Sequence, residues 1–357
     1  MTNKIAKLSL LPFDLGKIET RAVLRKEAQA RQALAELKGF ASVIPNQNIL
    51  ISAIALSEAK ESSAIENIVT TQDELYKSMT NPGASDPSAK EVLNYREAIY
   101  KGYEIVKKKG LIRISDIVNI QETIVENDAG IRRLPGTSLV NDATGKVVYT
   151  PPQDHRDIRD LLDNFCRYLN DEESSLWKAA ILHYQFESIH PFYDGNGRTG
   201  RILSILYLLL KNYLDTPILY LSSYIIKNKN DYYALLQKTR TQRNYEPWIL
   251  YILDGIEETS RQTLEKIRAI RDLLELTFEN TKKQCPKIYS KELVEITFEN
   301  PYSKIDFLVK KLGINRKTAS KYLKTLEEKK FLSHLQVGKE VLYINNSLME
   351  ILKKDTS

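Results

Sequence analysis

His190-Pro191-Phe192-Tyr193-Asp194-Gly195-Asn196-Gly197-Arg198-Thr199-Gly200-Arg201 is the stretch that organises the whole chain. Helical patterning over Ser175–Ile189 ends just before it. The apolar run Ile202–Leu210 then continues as a buried helix, predicted over Thr199–Lys211. Gly195-Asn196-Gly197 can turn tightly because glycine tolerates positive φ. The loop therefore lies at a helix N-terminus, where N–H groups without intrahelical acceptors and the helix dipole favour an anion. Successive N–H groups in such a turn form an anion nest. Arg198 and Arg201 are three apart on the first turn and share a face. Asp194 is a carboxylate of the kind that holds Mg²⁺ together with phosphates. His190 is the one group there that takes a proton near neutral pH. A bare Gly-x-Gly would read as a solvated helix–helix turn. Eight positions of distinct chemistry in one twelve-residue window point instead to a phosphate-handling enzyme site. A Walker A loop is excluded, since no Gly-Lys-Ser/Thr follows. No HExxH occurs, and His183 and His190 are seven apart, so a metalloprotease is poorly supported.

The chain around this loop has 357 residues, room for about two domains at roughly 150 residues each. Hydrophobic residues at 42% and charged ones at 27% describe a globular chain rather than a disordered one. The net charge of +6 is too small for a whole-body nucleic-acid binder but leaves room for one basic patch. Two cysteines, Cys166 and Cys285, exclude a disulfide framework and fit a reducing compartment. Four histidines, His155, His183, His190 and His334, with no CxxC pair, argue against structural zinc. Pro12, Phe13 and Asp14 interrupt the opening apolar stretch before it takes signal-peptide form. Ile202–Leu210 is far short of the ~20 residues a membrane span needs. The expectation is a soluble, cytoplasmic protein without a membrane partner.

The remaining pattern is mostly helical. Glu19–Lys38 ends before Gly39, and a second helix runs from Pro45 to about Lys60. A third is predicted over Ser63–Met79, ending before Asn81-Pro82-Gly83. Asp86-Pro87-Ser88 caps a fourth that reaches Lys109, and Ser115 or Asp116 caps a fifth ending near Asn127. Between Gly130 and Pro152, Ser138–Val140 and Lys146–Tyr149 flank Asn141–Gly145 as a β-hairpin. Helices resume at Asp154–Leu169, Asn230–Thr239 and Glu246–Lys282. The periodicity breaks at Lys282–Ser290, where a domain boundary is placed.

The twelve-residue stretch matches HxFx(D/E)GNGRxxR, the motif of the Fic family, at every defined position. The chain resembles that family from about Leu11 to Ile256. The resemblance implies AMP transfer from ATP onto a protein hydroxyl, with His190 as general base and Asp194 holding Mg²⁺ between the α- and β-phosphates. It implies that Gly195, Asn196 and Gly197 form an anion hole. Arg198 and Arg201 would grip the β- and γ-phosphates, with Thr199 and Gly200 in the same nucleotide-binding segment. Ser62-Ser63-Ala64-Ile65-Glu66-Asn67 is similar to the (S/T)xxxE(G/N) signature of the inhibitory helix in autoinhibited relatives. Alone it would read as a capping box or a solvated carboxylate. Beside the full motif it implies that Glu66 pairs with Arg201 and fills the γ-phosphate space. Ser62 and Glu66, four apart, share a helix face. Val147, Val148 and Tyr149, with Thr150-Pro151-Pro152, resemble the family's flap, which holds a target segment by strand addition. Tyr232, of the pair Tyr232-Tyr233, falls where relatives place a tyrosine by the base. His155 and His183 read as structural.

From Ser303 onward the pattern is a helix-turn-helix. Ile305, Leu308, Val309 and Leu312 form one apolar face, Gly313 the turn and Asn315 the next cap, with Ala319, Leu323 and Leu326 facing inward. Phe331–Leu335 and Glu340–Ile344 flank Val337-Gly338-Lys339 as a two-stranded wing. This resembles a winged-helix domain. Arg316, Lys317, Ser320, Lys321 and Lys324 fall outside, which admits DNA binding as well as protein docking or self-association.

The expected architecture is an all-α, Fic-type helical bundle with a β-hairpin flap and a C-terminal winged-helix domain. Its parts are 1–110 (helical region with the inhibitory helix), 111–284 (catalytic core) and 285–357 (winged helix). The functional reading is a protein adenylyltransferase using ATP and Mg²⁺, acting on a Ser, Thr or Tyr hydroxyl of a target protein and on itself, held off by Glu66. DNA and a second copy of the chain are further candidate partners. Two rivals stay open at this point: a de-adenylylating hydrolase on the same residues, and a nucleotide-sensing DNA-binding regulator.

Overall fold

The computed structural model describes the chain except residues 1–7, 15, 17, 45, 81–85, 141–144, 338–339 and 355–357. The predicted helix end at Asn81-Pro82-Gly83, the hairpin turn at Asn141–Thr144 and the wing turn at Gly338-Lys339 lie outside the described residues. The centre is a helical pair, α7 (Lys178–Ile189) and α8 (Asn196–Leu210), joined by the motif loop. Every residue of α7 is buried, and α8 is buried from Ile202 to Leu209. Neither helix is amphipathic in the usual sense, because neighbours cover them on all sides. Those neighbours are α2 (Gln47–Ile65), α4 (Pro87–Lys109), α5 (Ile114–Val125), α6 (His155–Asn170) and α11 (Glu246–Gln284), while α9 (Leu221–Lys227) packs on α2 and α11. Outside them, α1 (Arg21–Ala41) lies along α11, pinned by the 2.7 Å ion pair of Lys26 with Glu257. The flap is a short antiparallel pair, β1 (Leu139–Val140) and β2 (Val147–Tyr149).

The third predicted helix is corrected. Ser62 to Ile65 belong to α2, which ends at Glu66 as its C-cap, and Asn67 follows in the left-handed region at φ 65°. A new helix, α3 (Gln72–Thr80), starts only after Thr71, whose hydroxyl accepts the Glu74 N–H at 3.1 Å. Asn tolerates positive φ and Thr caps readily, so the break is written in Asn67 and Thr71. At α5 the predicted cap moves as well. Arg113 occupies the N-cap position, and Asp116 accepts its N–H at 3.0 Å.

C-terminal to α11, α12 (Lys291–Glu299), α13 (Ile305–Leu312), α14 (Arg316–Glu328) and α15 (Asn346–Lys353) surround a sheet of order β3-β5-β4. The strands are β3 (Tyr302–Ser303), β4 (Ser333–Val337) and β5 (Glu340–Ile344), so the expected two-stranded wing gains a third strand. Gly313 at φ 65° makes the predicted turn, and Asn315 caps α14 by accepting the Thr318 N–H at 2.9 Å. One small core gathers Ile288, Leu293, Leu308, Ala319, Leu323 and Leu326. Val294, Phe298, Tyr302 and Leu348 instead join the main core. The C-terminal elements thus dock on the helical body. Tyr302 stacks on Tyr76 with ring centroids 5.4 Å apart, and its hydroxyl donates to Asp73 at 2.8 Å. Lys353 reaches the other Asp73 oxygen at 2.9 Å, and Lys304 donates to the Thr80 carbonyl at 2.8 Å. The docking surface therefore includes α3, the helix that follows Glu66, together with α2 and α11.

Tyr302 is buried, so loss of its acceptor leaves an unpaired hydroxyl. Asp73→Ala is expected to lower stability by about 1–2 kcal/mol in urea denaturation, the exposed Lys353 pair adding little. Asp73→Asn keeps an acceptor and should lose less than half of that. Equal losses in both variants would mean that charge, not the hydroxyl, holds the contact.

Candidate active site

The backbone places the loop before any side chain acts. His190 ends α7 in the left-handed region at φ 48°, its N–H still bonded to the Phe186 carbonyl at 2.9 Å. Gly195 is the N-cap of α8 at φ 75°, and a Cβ there would meet Val125 at 2.8 Å. Asn196 is buried, and its side chain closes the loop on itself. Its Oδ1 accepts the Phe192 N–H and its Nδ2 donates to the Phe192 carbonyl, both at 2.9 Å. The anion-binding groups left to this segment are therefore backbone N–H groups of the first turn of α8. Thr199 is fully buried. Gly200 faces α7, where a Cβ would lie 3.1 Å from Phe186 and 3.0 Å from Glu187. Gly200 thus allows the close approach of α7 to α8.

That N-terminus already carries an anion from the chain itself. Glu66 Oε1 accepts from Arg201 Nη2 at 2.8 Å, and its Oε2 accepts from Arg198 Nε at 2.9 Å. The expected pair with Arg201 is present, and Arg198 shares the same carboxylate. Both arginines are 3% exposed, whereas the Glu66 side chain is 25% exposed. Burial works against the Arg201 charge, but Glu66, with Tyr95, Tyr232 and Glu187, more than offsets it and keeps the guanidinium protonated. Ser62 completes the clamp, its Oγ accepting from Arg201 Nε at 2.7 Å and its carbonyl from Nη2 at 2.9 Å. Gly197 makes the approach feasible: a Cβ there would stand 2.5 Å from Glu66 Oε1.

The ring of His190 is held in its neutral form, with a lower proton affinity than the near-neutral value expected of a free histidine. Burial, reinforced by the positive charges of Arg240 and Arg132, pulls its pKa down to about 4, while the Glu187 carbonyl pulls the other way. The imidazole is neutral at pH 7. Arg132, fully buried, fixes the backbone beneath it by donating from Nε to the His190 carbonyl at 2.8 Å and from Nη2 to the Pro152 carbonyl beyond the flap. The Arg132 carbonyl meets His155 Nδ1 at 2.9 Å, so His155, read as unconnected, supports the loop through one intermediate. Asp194 has a side chain 68% exposed, with Oδ1 accepting the Gly195 N–H at 2.6 Å. No group of three or more His, Cys, Asp or Glu among the described residues could hold a metal by protein ligands alone. A single exposed carboxylate beside an anion site fits Mg²⁺, which binds through one or two carboxylates with phosphates and water supplying the rest.

The flap is tethered at its base and open at its rim. The Tyr149 hydroxyl donates to the Ser188 carbonyl at 2.8 Å, and Arg240 lies 4.1 Å above the Tyr149 ring. Gln237, from α10 (Lys229–Gln242), donates to the Val148 carbonyl at 2.8 Å. Val147 and Val148 are exposed by 59% and 42%. Tyr232 is corrected. It is buried in an aromatic cluster with Trp248 and Tyr251, its hydroxyl 2.8 Å from His183 Nε2, whereas its neighbour Tyr233 presents the exposed ring. Glu91, Arg132, Gln237, Arg240 and the buried Glu187 escaped the sequence reading. Only the doublet Arg132-Arg133 ahead of the hairpin offered a signal for any of them.

Three sequence patterns cover this architecture. The Fic/DOC family N-terminal pattern matches residues 24–104, the Fic/DOC family pattern residues 111–208, and that of the protein adenylyltransferase SoFic-like C-terminal domain residues 273–348. The chain belongs to the Fic/DOC family. It is similar to the protein adenylyltransferase Fic of Aedes aegypti, 26% identical over 198 residues, which is 54% of this chain and 38% of that protein. The protein of the same name from Drosophila yakuba is 36% identical over 107 residues, 29% of this chain and 20% of the relative. The chain thus spans well under half the length of these curated relatives. A Fic family protein from Desulfovibrio desulfuricans shares the fold at TM-score 0.58 and 19% identity, over 91% of this chain and 96% of that one.

Removing Glu66 leaves two buried guanidinium groups without their shared counter-ion. Because Glu66 is partly solvated, the loss for Glu66→Ala is expected at about 1–3 kcal/mol, below that of a fully buried pair. Pyrophosphate should restore more stability to this variant than it adds to wild type, measured by thermal melting across a ligand titration. Equal stabilisation of both proteins would show that Glu66 does not occupy the anion site.

Proposed function

We propose that this protein transfers AMP from ATP to a Ser, Thr or Tyr hydroxyl of a target protein, and of itself, and that Glu66 holds the reaction off. The observation that carries the reading is the Glu66 carboxylate seated between Arg198 and Arg201 at the α8 N-terminus. A site built for an anion is filled by the chain's own anion, and a nucleotide's terminal phosphates are the ligand it would exclude. With Glu66 withdrawn, Arg198, Arg201 and the first-turn N–H groups bind phosphate oxygens and orient the triphosphate. His190, neutral at pH 7, takes the proton of the target hydroxyl as its oxygen bonds to the α-phosphorus. The bond from that phosphorus to the bridging oxygen breaks, and pyrophosphate departs. Asp194 would hold Mg²⁺, which supplies neutralising charge to the phosphates when bound. Val147 and Val148 offer an exposed strand edge on which a target segment can add.

Intact-mass measurement of Glu66→Gly protein incubated with Mg-ATP should show added AMP. Glu66→Gly combined with His190→Ala should add none while still binding ATP, because the phosphate grip is made by other groups. An unmodified Glu66→Gly protein would contradict the reading, and a fully active double variant would remove His190 from the proton transfer.

The C-terminal domain admits a second reading, DNA contact along α14, favoured by the exposure of Lys317, Lys321 and Lys324 on that helix. Arg316 is paired with Asp306 and drops out of the basic face. Three phosphate contacts would give a slope of log affinity against log salt of about −2.7. Lys317→Ala with Lys321→Ala should flatten that slope by about 1.8 in duplex-DNA titrations of the full chain. Binding without salt dependence, or none, would leave the domain as a docking module.

A further inference from the structure

We propose that Glu91 is a positioning residue of the phosphate site. It is the standing hydrogen-bond acceptor for Arg198 Nη1 and keeps that guanidinium aimed at the nucleotide once Glu66 has left. The inference rests on the adenylylation reading above.

The two arginines are held differently. Arg201 is gripped from α2 alone, by the Ser62 hydroxyl, the Ser62 carbonyl and Glu66. Arg198 is gripped from two helices: Glu66 of α2 meets its Nε at 2.9 Å, and Glu91 of α4 meets its Nη1 at 3.0 Å. Asp194 stands 3.7 Å from its Nη2. A guanidinium is planar, with Nε and Nη2 forming one edge that matches a carboxylate or phosphate side-on, while Nη1 lies outside that edge. Glu66 and Asp194 therefore face the edge that a phosphate would take, and Glu91 does not. A phosphate can replace Glu66 without displacing Glu91.

The energetics point the same way. Arg198 is 3% exposed, so without Glu66 it needs another partner or it rests in the interior with its charge uncompensated. The Glu91 side chain is 46% exposed, so its carboxylate stays hydrated while one oxygen holds Nη1. The surrounding solvent also weakens its repulsion toward a nucleotide. Its position on α4 also matters. This helix has its own N-cap, Asp86, which accepts the Ser88 N–H at 3.1 Å, and it packs on α2 farther along, through Tyr95 on Glu58 and Arg96 on Ser52. Glu91, near the start of α4, is thus carried by a different helix from Glu66. A second brake on the same arginine would have to occupy the Nε–Nη2 edge, and Glu91 leaves that edge to others.

The test uses the full chain with Glu66→Gly as reference, measuring ATP affinity by calorimetry and steady-state transfer. Adding Glu91→Ala is expected to raise KM for ATP about tenfold with kcat changed less than threefold. Adding Glu91→Gln, which keeps an acceptor for Nη1, should return KM to within about threefold of the reference. Melting temperatures of the three proteins check that each is folded. An unchanged or lowered KM in the Glu91→Ala protein overturns the proposal, the latter making Glu91 a brake. A Glu91→Gln protein as impaired as Glu91→Ala overturns the positioning role in favour of bare charge. Failure of the Glu66→Gly reference itself to bind ATP overturns the adenylylation reading and this proposal with it.

Discussion

A single carboxylate, that of Glu66, satisfies two guanidinium groups from which water is almost wholly excluded, and much of the active region is arranged around this requirement. Arg198 and Arg201 sit in the first turn of a helix whose remaining length is core, so neither can leave for solvent. Two buried positive charges beside a helix N-terminus make a strongly electropositive cavity, and an anion that fills it stabilises the fold. In the resting protein the anion belongs to the chain. The same electrostatics that suit the cavity to phosphates therefore create the need for its intramolecular occupant. On the proposed reading, inhibition and nucleotide binding are two states of one charge balance.

The occupant is delivered by the end of α2, and the surroundings of that end are well defined. Ser62 stays inside the helix and holds Arg201, while Asn67 turns the backbone away immediately after Glu66. Farther back on the same face, Glu58 is fully buried and accepts from the Ser222 N–H at 2.9 Å and from the Ser222 hydroxyl. Burial pushes its pKa up to about 7, against the pull of Ser222, Arg201 and Tyr95. Beyond Glu66, α3 is stacked under Tyr302 and tied at Asp73 to the C-terminal elements. The inhibitory segment is thus anchored on both sides, through α9 on one and the C-terminal domain on the other. Only the short stretch between Ile65 and Gln72 separates those anchors.

The parts legible in the sequence are those whose chemistry is local. The loop from His190 to Arg201 carries its own turn residues, its base and its cations within one segment, and the Ser62–Asn67 signature sets the clamp on Arg201. The helix-turn-helix was readable because Gly313 and Asn315 punctuate it. The parts that escaped depend on long-range contact. Glu91 is an unremarkable acid in an amphipathic helix, and only the packing of α4 on α8 brings it to Arg198. Arg132 reads as a loop cation, yet it is buried beneath His190 because two carbonyls there need donors. Tyr232 and Tyr233 differ only in helical phase, and the phase turns Tyr232 into the core beside His183. The predicted third helix ran too far back because Ser63-Ala64-Ile65 suits a helix equally well on either side of the break at Asn67. The motif alone does not show that Gly200 lets α7 approach α8 closely.

The central claim, that Glu66 occupies the space of the terminal phosphates, is tested most directly by comparing ATP and AMP affinities in wild type and Glu66→Gly by calorimetry. AMP lacks the β- and γ-phosphates and does not reach the arginine pair. The account predicts at least tenfold tighter binding of ATP in the variant, with AMP affinity unchanged within about twofold. An equal gain for both nucleotides, or none for ATP, would contradict it.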